Sequence, residues 1–202
     1  GPLASIVTVS AGANSTGGGT VSTADVSLNC AFSGQVTTGA CSKSVSGGGS
    51  ITLTATGNAN STLAAWGGAC SAFLYDPVCT ITPSSNVSVT ARFVPAVSFT
   101  LSVYGGSGSR INITSPTQNS SCLATTGSCV YKLVIGETIR LEATPGADDI
   151  FSSWYAACQE ASGPICTFVA TTNTTFAQAY FYNGSAIAPP TLLKKKGGGA
   201  SQ

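Results

Sequence analysis

The sequence predicts a mainly β chain built from two tandem, small antiparallel β domains stapled by disulfides. Three observations carry that reading. Short runs rich in Val and Thr alternate between apolar and polar residues, a pattern recurs along the chain at a fixed offset, and eight cysteines occur with no histidine.

The alternation identifies the strands and their faces. Ile139, Leu141 and Ala143 alternate with Thr138, Arg140 and Glu142. Val87, Val89, Ala91 and Phe93 alternate with Ser88, Thr90 and Arg92. Successive side chains of a strand point to opposite faces, so such runs bury one face and leave the other to water. No long stretch carries helical periodicity.

The repeat sets the domain organisation. Ile51, Leu53, Ala55 and Thr56 match Ile139, Leu141, Ala143 and Thr144 at an offset of 88 residues. The same offset carries Trp66 to Trp154, Cys70 to Cys158 and the pair Ala91, Phe93 to Ala179, Phe181. The register slips by one only at Cys79 against Cys166. Coincident matches at one spacing mean two copies of one structural unit. The expected units are 4–95 and 96–183, meeting at Pro95 with almost no linker. Residues 1–3 begin with Gly1-Pro2 and read as the remnant of a cleaved purification tag. Residues 184–202 carry Pro189-Pro190, Lys194, Lys195, Lys196 and three glycines, and read as a linker or disordered tail.

Each copy holds four cysteines in equivalent places. Pairing neighbours gives Cys30 with Cys41, Cys70 with Cys79, Cys122 with Cys129 and Cys158 with Cys166. A tetrathiolate zinc site would use tighter two-to-four residue hooks, so bridges are the better reading. Disulfides persist in oxidising compartments, which places the chain outside the cytosol, in the extracellular space or on the cell surface. Trp66 and Trp154, each four residues before a cysteine, are expected to pack with Phe93 and Phe181 in the cores. Sugar stacking is their alternative role.

Composition narrows the function further. Only 7% of residues are charged, and three of the eight basic side chains sit in the tail. No basic surface remains for nucleic acid, and no apolar run is long enough to span a bilayer. No cofactor motif appears. Catalysis is not expected: there is no histidine, and the seven carboxylates are scattered apart from Asp148-Asp149. That pair could be read as a calcium site, but no spaced acidic array surrounds it, and a loop role is preferred. Seven of the nine asparagines lie in Asn-x-Ser/Thr sequons: Asn14, Asn60, Asn86, Asn112, Asn119, Asn173 and Asn183. These are glycosylation acceptors if the host glycosylates.

Several strings together resemble the divergent internalin-B-type repeat of bacterial surface and secreted proteins. They are Gly49-Ser50-Ile51-Thr52-Leu53-Thr54-Ala55-Thr56, Trp66-Gly67-Gly68-Ala69-Cys70, Cys79-Thr80-Ile81 and Asn86-Val87-Ser88-Val89-Thr90-Ala91-Arg92-Phe93. The second copy matches more loosely, through Glu137 to Pro145, Trp154, Cys158, Cys166 and Phe181. Its Tyr155-Ala156-Ala157 departs from the small Gly-rich stretch that follows the tryptophan in such repeats. The resemblance implies a small mostly β unit, β-grasp-like in the parent repeats; a sandwich-like unit is the other form considered. It implies a spacer or adhesive role and brings no catalytic residue with it.

Two functions follow as expectations. The first is an extracellular structural or adhesive module (a stalk, spacer or filament segment). The second is a specific glycan- or protein-binding module of a cell-surface protein. Partners would be extracellular proteins or glycans held weakly or multivalently, or a second copy of the chain. An exposed aromatic cluster on one face would favour the second function, with Tyr180 and Tyr182 as its candidates on the outer side of the last strand.

Overall fold

A computed structural model of the chain describes residues 1–186. The Pro/Lys/Gly-rich stretch with Lys194, Lys195 and Lys196 lies outside the described residues. Residues 184–186, expected to open the tail, continue the fold as a short 3-10 turn, and the Gly184 amide donates to Asp148 O at 2.7 Å.

The chain is mainly β. In the first half, β1 (Ser5–Ala11), β2 (Gly18–Ser22), β3 (Asn29–Ser33), β4 (Val36–Ala40), β5 (Ser42–Val45), β6 (Ile51–Gly57), β7 (Ser61–Gly68) and β8 (Val78–Ile81) lead into β9 (Val87–Tyr104). The second half adds β10 (Arg110–Ser115), β11 (Gln118–Leu123), β12 (Ser128–Val134), β13 (Thr138–Thr144), β14 (Asp149–Ala156), β15 (Ile165–Val169) and β16 (Phe176–Asn183). One five-stranded sheet, β4-β3-β2-β6-β8, belongs to the first half, and a four-stranded sheet, β11-β10-β13-β15, to the second. A seven-stranded sheet runs through both halves, because β9 serves them in turn.

Each half is therefore a two-layer sandwich. Among the described residues there is no α-helix, only two 3-10 turns, so the β-grasp form is not adopted. The apolar faces of two sheets cover each other where a β-grasp unit would need a helix. One cluster gathers Val7, Val21, Leu53, Trp66, Val89 and Phe93; the other gathers Leu101, Ile113, Leu141, Trp154, Ala179 and Phe181. Gly19 makes room in the first. A Cβ there would come within 2.4 Å of the Phe93 ring.

The expectation of antiparallel strands needs one correction. In each half the first and last strands pair in parallel: β1 with β9 from Val7↔Val87 to Ala11↔Ala91, and β9 with β16 from Thr100↔Phe176 to Tyr104↔Tyr180. The remaining pairs are antiparallel. Alternation reveals which face of a strand is buried but not the direction of its neighbour.

The joint at Pro95 is a strand. Up to Pro95, β9 pairs antiparallel with β7; from Ala96 it pairs with β12. A proline has no amide to give a ladder and is poorly tolerated inside a sheet. Here it stands where the ladder changes partner, and its carbonyl accepts the Ile135 amide at 3.1 Å. Ala64, Val94 and Val134 pack together beside it. Lys132 on β12 closes the joint: its ammonium donates to the carbonyls of Gly57, Asn58 and Ser61, at 3.3, 2.6 and 2.9 Å.

Four disulfides join Cys30–Cys41, Cys70–Cys79, Cys122–Cys129 and Cys158–Cys166, closing loops of 7 to 11 residues. The tryptophans secure the loops of the second and fourth. Trp66 Nε1 donates to Asp76 O at 2.6 Å, inside the 70–79 loop, and Trp154 Nε1 donates to Gly163 O at 2.9 Å, inside the 158–166 loop.

Two outcomes follow. Cys30→Ser/Cys41→Ser should destabilise the protein by about 2.5–3 kcal/mol, the entropy that a loop of this size gains in the unfolded chain; denaturant unfolding measures it. Lys132→Met should leave both cores folded but speed amide exchange at Ala96 and Ile135, the donors across the joint, by about tenfold, as the loss of a charge-assisted contact of ~1.4 kcal/mol would.

Candidate functional site

A strand with one face in a core presents its other face outward. In the second half the outward face of the seven-stranded sheet is aromatic. Along β16 it carries Phe176, Gln178, Tyr180 and Tyr182, spaced every second residue. Tyr104 stands opposite Tyr180 on β9, and the two rings stack with centroids 5.1 Å apart and planes 15° from parallel. On the other side, β14 adds Ile150 opposite Tyr182 and Tyr155 opposite Gln178. The Tyr155 and Phe176 rings lie 6.3 Å apart at 52°. All of these apolar side chains are exposed, Tyr155 most at 54%.

The matched face of the first half is different. The repeat offset sets Ser88 against Phe176, Thr90 against Gln178, Arg92 against Tyr180 and Gly67 against Tyr155. One residue past the β1–β9 ladder, Gly12 stands in the place of Tyr104, and a Cβ on it would lie 3.5 Å from Arg92 Cβ. The offset sets Val94, buried in the joint, against Tyr182, so the same backbone surface carries small, polar and one buried apolar side chain in one copy and is aromatic in the other. Sequence reasoning found Tyr180 and Tyr182 by alternation. It missed Phe176, which follows from the same alternation on β16, and Tyr104 and Tyr155, which reach the same face only through strand pairing. The departure of Tyr155-Ala156-Ala157 from the glycine pattern was the signal for one of them.

A groove of about 520 Å³ opens at the corner beside Tyr155 and Phe176. It runs between the end of β14 and the end of β15 and is closed by the Thr171–Thr175 loop. Phe168 and Gln159 line it with the two exposed rings. Ala156, also in the lining, has a φ of +63°, a left-handed conformation that L-residues adopt at a cost and achiral glycine does not. Its counterpart Gly68 has nearly the same φ, +61°.

The other residues singled out from sequence lie elsewhere. Trp66 and Trp154 are buried, 4% and 6% exposed, with their indole N–H groups bonded, so neither ring offers a sugar platform. Phe93 and Phe181 face the cores. Asp149 accepts the Ser109 hydroxyl at 2.8 Å in a tight loop, where a Cβ on Gly106 or Gly146 would meet its carboxylate; Asp148 supplies only its carbonyl, to Gly184. Among the described residues no three His, Cys, Asp or Glu side chains converge as metal ligands. Asp25 is held well below the usual carboxylate range, first by the Ser27 hydroxyl and then by Thr23, the Ser27 amide and Lys43. It stays charged at neutral pH and pairs with Lys43 at 3.1 Å.

The sequon asparagines do not form one site. Asn14, Asn60, Asn86, Asn119, Asn173 and Asn183 are exposed, five of them outside the strand interiors. Asn112 is half-buried on β10, where its amide donates to Thr144 Oγ1 and accepts from Ser121 Oγ.

Residues 24–97 match the family described as a divergent InlB B-repeat domain. This agrees with the sequence resemblance over most of the first copy. No curated protein matches the chain. Among solved structures, a streptococcal ancillary pilin is similar over 88% of this chain at 8% identity and a TM-score of 0.28. This chain spans 62% of that pilin. The shaft pilin SpaA of Lactobacillus rhamnosus GG is similar over 93% of this chain and 99% of its own, at 11% identity and a TM-score of 0.29. A major pilin of Streptococcus pyogenes is similar over 90% of this chain and 96% of its own, at 9% identity and a TM-score of 0.26. At such scores no conclusion rests on these likenesses.

The strain at Ala156 is directly testable. Ala156→Gly should stabilise the protein by about 1 kcal/mol, because glycine adopts a positive φ without the Cβ clash. Gly68→Ala should destabilise it by more, since a Cβ there would sit 2.2 Å from Ser88 O. Paired denaturant melts read both signs.

Proposed function

We propose that the chain is an extracellular surface module that works by contact and without catalysis. Its two units fold independently over 4–95 and 96–183 and are held in fixed relation by β9. The first serves as a spacer, and the second carries the adhesive surface. The repeat match at 24–97 and the four disulfides support a role outside the cytosol.

One observation carries the proposal: the aromatic outer face of the second unit, at positions where the first has Ser, Thr, Arg and Gly, and at Tyr182 a valine, Val94, that is buried in the joint. Sheets normally face water with polar side chains, and a contiguous exposed apolar patch marks an interaction surface. Tyr and Phe supply large contact area with few rotors to freeze.

The test is attachment. Beads carrying the protein should adhere to cells or extracellular matrix. Tyr104→Ser/Tyr180→Thr/Tyr182→Ser should reduce attachment by about tenfold or more, the effect of removing several buried aromatic contacts. Arg92→Ser on the matched face of the first unit should leave it unchanged. Equal attachment by both variants would refute the assignment of the face.

A further inference from the structure

We infer that the corner groove beside Tyr155 and Phe176 binds a neutral carbohydrate chain. This rests on the reading of the second unit as the adhesive one and names its ligand class.

Three features of the groove select that chemistry. The first is its charge. None of the lining residues is Asp, Glu, Lys, Arg or His, so nothing there compensates an anionic or cationic ligand. The second is the pair of exposed rings. Tyr155 and Phe176 meet at 52°, which offers two apolar planes angled into one opening. A sugar ring is apolar on its C–H face and can lie on such a plane, whereas its equatorial hydroxyls point sideways. The third is the polar rim. Gln159, Asn173 and Thr175 line the groove, and their side chains make no hydrogen bond among the described residues. Amides and hydroxyls both donate and accept, which suits the neighbouring hydroxyls of a sugar. The volume, about 520 Å³, is within the range of small-ligand sites and accepts a short stretch of a longer chain.

The neighbourhood fits the same ligand. The loop that closes the groove is preorganised: Thr171 and Thr174 bond through their hydroxyls at 3.1 Å, and the Asn173 amide donates to Thr171 Oγ1. Preorganised loops lose less entropy on binding. From Phe176 the aromatic row continues along β16 through Tyr180 to Tyr182, which spans roughly 20 Å at strand spacing. A chain longer than the groove would run on over that row. The first unit has Gly67 and Ser88 in place of the two rings and carries no such stacking pair.

The test uses the whole chain, made with its disulfides in a bacterial periplasm, where the sequons stay unmodified. Affinity electrophoresis is run in gels containing a β-glucan, an α-glucan or a mannan, with alginate and heparin as anionic probes and a proline-rich peptide as competitor. At least one neutral polysaccharide should retard the protein, with no loss at raised salt. Tyr155→Ala and Phe176→Ala should each weaken binding by about tenfold, and Tyr155→Phe, which keeps the ring, should stay within about threefold. Circular dichroism melts confirm that the variants fold. Retardation only by alginate or heparin, displacement by the peptide alone, or unchanged binding in both alanine variants would overturn the inference. Attachment to cells without retardation by any neutral polysaccharide would also overturn it and leave the adhesive reading intact. Absence of both would overturn the two together.

Discussion

The fold depends on one continuous backbone ladder. A strand of eighteen residues, β9, must satisfy its amides and carbonyls in two different sheets that meet along its length. The change of partners falls at Pro95, the residue with one donor fewer to satisfy. Everything else is arranged around that exchange. β1 and β7 flank the first half of β9, β16 and β12 flank the second, and the Lys132 ammonium caps the carbonyls exposed where the β6–β7 turn meets β12. A flexible linker would free the two sandwiches to reorient. A shared strand instead fixes the twist between them through main-chain hydrogen bonds.

Much of this was legible in the sequence, for identifiable reasons. Burial in a strand has a period of two, so Val89, Ala91 and Phe93 declare their face without knowledge of any partner. The recurrence of Trp-x-x-x-Cys at a fixed offset declares the repeat. What remained hidden was relational. That β1 lies parallel to β9 depends on residues 80 apart in the chain, and no local pattern encodes it. The site divided along the same line. Tyr180 and Tyr182 are visible on a single strand, but the stack with Tyr104 exists only because two strands from distant parts of the chain lie side by side.

The proposed function rests on the divergence of the copies. Residues kept between them, such as the tryptophans with their bonded indoles and the cysteines, are those on which each sandwich depends. Residues that differ at matched positions are released from that duty. The exchange of Gly68 for Ala156 works against the local backbone preference, and it lies in the lining of the groove. A substitution that costs stability next to an exposed ring pair is consistent with selection for the surface rather than the core.

The parallel pairing of terminal strands has a mechanical consequence. Were the chain held at both ends, as the proposed surface role requires, tension would enter each unit at its first strand and leave at its last. In the first unit these are β1 and the opening half of β9; in the second, the closing half of β9 and β16. Because the paired strands run in the same direction, the pull draws them past each other lengthwise, and the five residue pairs of each ladder are loaded at once. Strands peeled from one end would surrender their bonds singly. The disulfides sit outside this path, closing side loops of 7 to 11 residues, so the load falls on the hydrogen-bonded ladder itself. Under such a load, the strand that joins the units would also be the element through which force passes from one to the next.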